Sequence, residues 1–192
     1  KLVQIDEAFF EKLINDEQFV ELKFILQENR RKAQEKLSVE LETLIQQLGI
    51  DGYHGWGQLY DSLVATIEIP FEEDGKVQML SAGQAANKML HPDREVRKRL
   101  FQAWEKAWGD KEELFAHALN HLAGFRLKVY EKRGWESVLK EPLETCRMKE
   151  ETLNSMWQAI TASKQQLVRL LQRKAQLLGI EKLRWYDVDV AL

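Results

Sequence analysis

Apolar residues recur three and four positions apart along most of the chain, the spacing of one buried face of an α-helix. Asp6 reads as an N-cap, after which Phe9, Phe10, Leu13 and Ile14 share one face. A second helix is expected from about Asp16 into the forties. Its early stripe is Phe19, Leu22, Ile25 and Leu26, and its later one Leu37, Leu41, Leu44, Ile45 and Leu48, with a break near Ser38 after the polar Arg30–Lys36 stretch. Gly49 is expected to end that helix. The following GIDGYHGWGQLYDSL, Gly49 to Leu63, crowds glycines and aromatics together and reads as a shaped turn feeding another helix.

The period then switches to two. Ile67, Ile69 and Phe71 alternate with Thr66, Glu68 and Pro70; Glu72-Glu73-Asp74-Gly75 makes a turn, and Val77 and Met79 alternate on the return. This is one β-hairpin at about 65–80, with Pro70 confining its strand to an edge. Helical spacing resumes at a capping box formed by Ser81 and Gln84. A helix follows His91-Pro92-Asp93, with Pro92 at or near its first turn and Val96, Leu100, Ala103, Trp104, Ala107 and Trp108 along one side. Gly109-Asp110 is a joint. Asp110 with Glu113 resembles a second capping box for a helix running to about Arg133, stopped by Gly134. Pro142 breaks a short connection. A long last helix spans about Lys149 to Leu178, with Leu153, Met156, Trp157, Ile160, Leu167, Leu170, Leu171 and Leu178 as its stripe and Gly179 as its cap; the WYDVDVAL tail then leads away. The fold expected is mostly α, an antiparallel helical array with one inserted hairpin.

Composition adds bounds. The chain has 192 residues, 44% hydrophobic and 31% charged, an ordinary globular balance. Net charge is −3 with both signs interleaved, which excludes the basic face a nucleic-acid binder needs. The Arg30, Arg31, Lys32 run is flanked by Glu28 and Glu35 and reads as a solvated helix face. No apolar run approaches the roughly 20 residues of a membrane span. Cys146 is the only cysteine, which suits a reducing, cytoplasmic setting. A lone thiol is expected to be buried or inert.

Candidate chemistry is sparse. His117 and His121 are four residues apart on a helix, the spacing of a helical zinc site, but Ala118 stands where a His-Glu-x-x-His peptidase needs its general base. Both imidazoles are expected at the edge of the apolar arc of Leu114, Ala118, Leu122 and Phe125, bonded to carbonyls or acids. Ala116, Asn120 and Gly124 form a small-residue row that admits a close helix neighbour. Arg126, Lys128, Lys132 and Arg133 are expected to pair with acids such as Glu131 and Glu136, although such a cluster also attracts a peptide carboxylate. Trp104, Trp108, Trp135 and Trp157 are expected as core anchors. Tyr53, His54 and Trp56, aromatics in a glycine-rich turn, are candidates for a cleft wall.

Five runs in order, GYHGWGQLYDSL (Gly52–Leu63), LSAGQAANKML (Leu80–Leu90), HPDREVRKRLFQAWEKAW (His91–Trp108), LNHLAGFRLKVYEKRGW (Leu119–Trp135) and LRWYDVDVAL (Leu183–Leu192), resemble the N-terminal helical part of oligoendopeptidase F, a zinc metallopeptidase of the thimet-oligopeptidase-like family. The resemblance spans about Phe24 to Leu192. It implies a helical lobe, residues 1–192, forming the non-catalytic wall of a cleft. The catalytic zinc domain would follow Leu192. Hydrolysis of short peptides by a zinc-bound water would occur there, and no catalytic, cofactor-binding or metal-ligating position carries over to this chain. Zinc is expected in the parent protein and none here; the expected partners are short peptides, with no nucleic acid or membrane. The start at Lys1 fits such a fragment. The alternative is a self-contained helical module that binds a protein or peptide without catalysis.

Overall fold

The computed structural model describes residues 2–73 and 75–192. Helix α1, Glu7–Ile14, is capped by the Asp6 carboxylate, which accepts from the Phe9 amide at 3.2 Å. Phe10 and Ile14 are buried beneath it, while Phe9 faces solvent. Helix α2 begins at Lys23 and ends at Gln34, later than the expected start at Asp16. The Asp16 carboxylate instead accepts from the Gln18 amide at 2.9 Å, a local turn that competes with helix, and a 3-10 turn at Val20–Leu22 leads into α2. The break near Ser38 is present: Ser38 caps α3, Val39–Gly49.

The glycine-rich segment is a continuation and not a turn. A π-helical turn, Ile50–His54, joins α3 to α4, Gly55–Ala65. Its glycines serve close approach: a Cβ on Gly52 would lie 3.2 Å from the Phe125 ring, and one on Gly49 3.5 Å from it. One extra residue in the turn re-aims the side chains that follow, which is the usual consequence of a π-bulge.

The hairpin is β1, Glu68–Glu73, against β2, Lys76–Ser81. Ile69 pairs with Leu80 and Phe71 with Gln78. Ile67, Ile69, Phe71 and Leu80 are buried. Val77 and Met79 sit on the opposite face, exposed, because the period of two puts residues opposite Pro70 and Glu72 on the outer side. Of the expected turn, Asp74 lies outside the described residues; Gly75 has φ +72°, where glycine avoids a Cβ clash.

Ser81 and Gln84 form the expected capping box for α5, Ala82–Lys88. Helix α6, Arg94–Gly109, is capped by Asp93, with Pro92 just ahead of the cap. Its Leu100 is buried, and Val96, Ala103, Trp104, Ala107 and Trp108 pack on the hairpin core with Phe115 and Ala85. Helix α7, Glu112–Lys132, starts without a side-chain cap. The expected Asp110–Glu113 box is absent because Asp110, with helical backbone angles, closes α6 and the next helix opens one residue later, at Lys111; the Asp110 carboxylate accepts from Lys106 Nζ at 2.6 Å. Gly134, φ +68°, ends it as expected. Pro142 lies within the first turn of a short helix α8, Lys140–Thr145, where its missing N–H costs no bond, so it opens a helix instead of breaking one.

Helix α9, Glu150–Leu177, has the predicted bounds and cap, with Gly179 at φ +67°. Its stripe is not buried. Met156, Trp157, Ile160, Leu167, Leu170 and Leu171 face solvent, and only Ala175 is enclosed. No described helix is long and apolar enough to cross a membrane.

The tail does not lead away. Its 3-10 turn, Trp185–Asp187, folds back onto α6 and buries Asp187 completely, at 0% exposure. Arg94 grips the Asp187 carboxylate through Nε and Nη2 at 3.0 and 2.9 Å, Arg97 Nη2 donates at 3.0 Å, and the Arg184 amide donates at 3.0 Å. Buried Arg97 spends its other donors on the carbonyls of Tyr186, His91 and Pro92. Burial works upward on the Asp187 carboxyl, but the hydrogen bonds from Arg94 and its other donors outweigh it and hold the group below the ordinary aspartate range.

Candidate functional site

The π-turn, α7 and α8 enclose a groove of about 520 Å³. Along α7, Phe125, Arg126, Val129, Tyr130 and Arg133 recur at one- and four-residue steps and so share the side that faces it. The π-turn contributes Tyr53 and His54, and α8 contributes Glu141. Tyr53 lies tilted over Phe125, ring centroids 5.8 Å apart, and meets the His54 ring edge-on at 5.3 Å.

The polar part is a three-membered network. Arg126 Nη2 donates to Glu141 Oε2 at 2.7 Å and to the Tyr130 hydroxyl at 2.6 Å, and the Tyr130 hydroxyl donates to the same carboxylate oxygen. Burial and the Glu141 carboxylate push the Tyr130 phenol upward. Burial also acts upward on Glu141, but the bonds from Tyr130 and Arg126 prevail and leave it below the ordinary glutamate range. Hydrogen bonding to Glu141 raises Arg126 further. The network is thus an ion pair with a neutral phenol across the physiological range. It can orient a polar backbone or carboxylate against an aromatic wall.

Of the sequence candidates, Tyr53 and His54 line this groove, whereas Trp56 does not. Trp56 stacks on His121, centroids 4.1 Å apart and planes 17° apart. His121 and His117 are both exposed, their rings 6.4 Å apart, not held at a core edge by carbonyls or acids as expected. The apolar arc is shallower than its pattern suggests: Ala118 is buried, but Leu114 is exposed. Among the described residues no group of three or more His, Cys, Asp or Glu side chains is placed to hold a metal ion. A zinc ion with three protein ligands does not fit this donor set, and Ala118 cannot serve as a base.

The small-residue row of Ala116, Asn120 and Gly124 is exposed, and nothing lies within 4 Å of a Cβ built on Gly124, so no described helix approaches there. The basic cluster is ion-paired as expected, with partners mostly more distant in sequence: Arg126 with Glu141, Arg133 with Glu42 at 2.9 Å, and Lys128 and Lys132 with Glu131. Arg30, expected in solvent, is buried; its Nη2 donates to Glu7 and to the Ile5 carbonyl, both at 2.8 Å, and its guanidinium covers the Phe10 ring. Arg31 reaches Glu144, and Lys32 stays beside Glu28. Trp104 and Trp108 pack on the core, Trp135 lies on Tyr130, and Trp157 is exposed, not an anchor. Cys146 is exposed at the groove's rim and not buried. Tyr130 and Glu141 went unread in the sequence. Arg126 and Tyr130 at i, i+4 are a visible signal, but Glu141, 15 residues on across a turn, is not.

Residues 1–69 match the family model described as Oligopeptidase F. No curated protein gives a significant match. Among solved structures, the chain resembles oligoendopeptidase-F from Enterococcus faecium, with 20% identity and a TM-score of 0.81 over 99% of this chain and 38% of that one. It also resembles a candidate peptidase from Chlamydophila abortus, at 17% identity and a TM-score of 0.78 over 100% of this chain and 32% of the other. A candidate oligoendopeptidase F from Bacillus anthracis gives 19% identity and a TM-score of 0.71 over 95% and 34%. The chain spans about a third of the length of these structures. The likeness to oligoendopeptidase F therefore holds in sequence over residues 1–69 and in fold over the whole chain.

Proposed function

We propose that this chain is the N-terminal helical lobe, residues 1–192, of a cytoplasmic zinc metalloendopeptidase that hydrolyses short oligopeptides. Its own part is to form a non-catalytic wall of the substrate cleft. The observation that carries the reading is the whole-chain fold match to about a third of oligoendopeptidase-F. Zinc in the parent protein would supply a polarised water for attack on the peptide carbonyl; this chain's residues bind and orient. Tyr53 and Phe125 offer a face for a peptide side chain, and the Arg126–Tyr130–Glu141 network offers paired charge for its backbone or terminus. The bare stripe of α9 is consistent with a lobe that meets further structure.

The deciding experiment is to read the source gene downstream of the Leu192 codon and assay the full product on short peptides with and without a chelator. A helical His-Glu-x-x-His and chelator-sensitive cleavage are expected. A stop codon after Leu192 would overturn the reading. A self-contained peptide-binding module would then be the better one, because the groove's network closes among residues of this chain alone.

A further inference from the structure

Arg126 and Arg133 stand about two turns apart on α7, and both line the groove that the π-turn and α8 close. Their bonds within the chain leave donors over. Arg126 places Nε on the Tyr130 hydroxyl and Nη2 on that hydroxyl and on Glu141. Arg133 uses only Nη2, which meets the two oxygens of Glu42 at 3.1 and 2.9 Å. Among the described residues, Nη1 of either arginine and Nε of Arg133 find no acceptor. The acids are more fully spent. Glu42 and Glu141 each hold an arginine, and the Glu141 oxygen that takes Arg126 also takes the Tyr130 hydroxyl.

A groove with surplus N–H donors on planar guanidinium groups is matched by a carboxylate. Arg126 is the one within reach, its side chain 41% exposed against 17% for Arg133. The neighbouring wall is apolar, with Phe125 next to Arg126 in the chain and the Tyr53 ring 5.8 Å from the Phe125 ring.

We propose that this groove selects peptides by a carboxylate, with Arg126 Nη1 as the principal donor and an aliphatic or aromatic side chain of the peptide resting on Tyr53 and Phe125. The carboxylate is a free C-terminus or an acidic side chain. Glu141 is a positioning residue: it holds the guanidinium through Nη2 and leaves Nη1 for the ligand. Its charge also balances Arg126 in the empty groove, so a peptide without a carboxylate gains little there. The inference rests on the peptidase reading, since it takes the groove as part of the substrate cleft.

The test uses the full product of the source gene and three short peptides: an apolar one with a free C-terminus, its C-terminal amide, and that amide with one Glu placed beside an aliphatic residue. The free acid or the Glu peptide is expected to exceed the amide in kcat/KM by about 5-fold or more, the share of a charge-assisted bond left at a half-exposed site. The margin should lie in KM and shrink as salt is raised. Which of the two peptides rises names the source of the carboxylate. Arg126→Gln is expected to abolish the margin, and Arg126→Glu to turn it in favour of the amide. The margin is a ratio within one preparation, so any loss of folded protein cancels. Equal kcat/KM for all three peptides, or a margin that survives Arg126→Gln, overturns the inference and leaves the peptidase reading standing. A product that cleaves none of them, with zinc supplied, overturns that reading and the inference with it.

Discussion

Helices α6 and α9 carry the same message in sequence and meet opposite fates. Each has an apolar stripe at helical spacing, flanked by mixed charge. In α6 the stripe lies on a two-stranded hairpin whose Ile67, Ile69 and Phe71 alternate inward, and Leu100 is sealed at the centre. In α9 the middle of the stripe, from Met156 to Leu171, faces solvent. Amphipathicity states that a face is to be covered and says nothing about what covers it. The difference lies in neighbours: α5, the hairpin and Phe115 of α7 converge on α6, whereas the last turns of α9 meet the returning tail, Lys174 donating to the Val188 carbonyl.

This contrast can be broken most sharply at Asp187, which ties the tail to α6. Asp187→Ala leaves buried Arg97 without its carboxylate and is expected to cost about 3–5 kcal/mol, read by chemical denaturation. The same pair has a pH signature. Because the folded-state pKa lies below the ordinary aspartate value of about 3.9, the stability it adds is fully present above that value and is lost as pH falls through the lowered folded pKa. A stability profile below pH ~4 that is the same with and without Asp187→Asn would remove the argument.

Leu100→Ala, in the covered stripe, should cost about 2–5 kcal/mol through lost burial and a cavity. The glycines give a smaller and signed comparison. Gly52→Ala pushes a methyl against Phe125 and should cost about 1–3 kcal/mol. Gly124→Ala, in open space on the same helix as Phe125, should stabilise by up to about 1 kcal/mol through helix propensity. Equal signs in thermal melts would show that the Gly52–Phe125 contact is not tight. Smallest of all, Ile160→Ser in the bare stripe should change monomer stability by less than about 0.5 kcal/mol while reducing binding of a hydrophobic dye. A loss as large as that of Leu100→Ala would mean that α9 is packed after all.

Elements with a local chemical signature were legible. Asp6 and the Ser81–Gln84 box open helices as written, the break near Ser38 is present, and Gly134 and Gly179 close helices in the left-handed conformation. The hairpin followed from its period, and the register then decided that Val77 and Met79, opposite Glu72 and Pro70, face outward. The glycine-rich segment was read as a turn because glycine permits one; it is a π-turn instead, with Gly49 and Gly52 leaving room for the Phe125 ring, a partner more than 70 residues on. Half of the groove, Tyr53 and His54, was visible as aromatics out of helical pattern. Its charged half was not, because Arg126 has several acids within reach along the chain and selects Glu141 only when α8 folds back.

What the sequence determined by itself is the helical inventory, its caps, the hairpin and the absence of a His-Glu-x-x-His motif from these residues, all set by interactions spanning a few positions. Tertiary structure alone decided which stripes are covered, that Arg30 and Asp187 are buried with partners, and that Tyr53, Arg126, Tyr130 and Glu141 share one groove. Those outcomes depend on pairings between distant segments, for which local periodicity carries the demand for a partner but not its address.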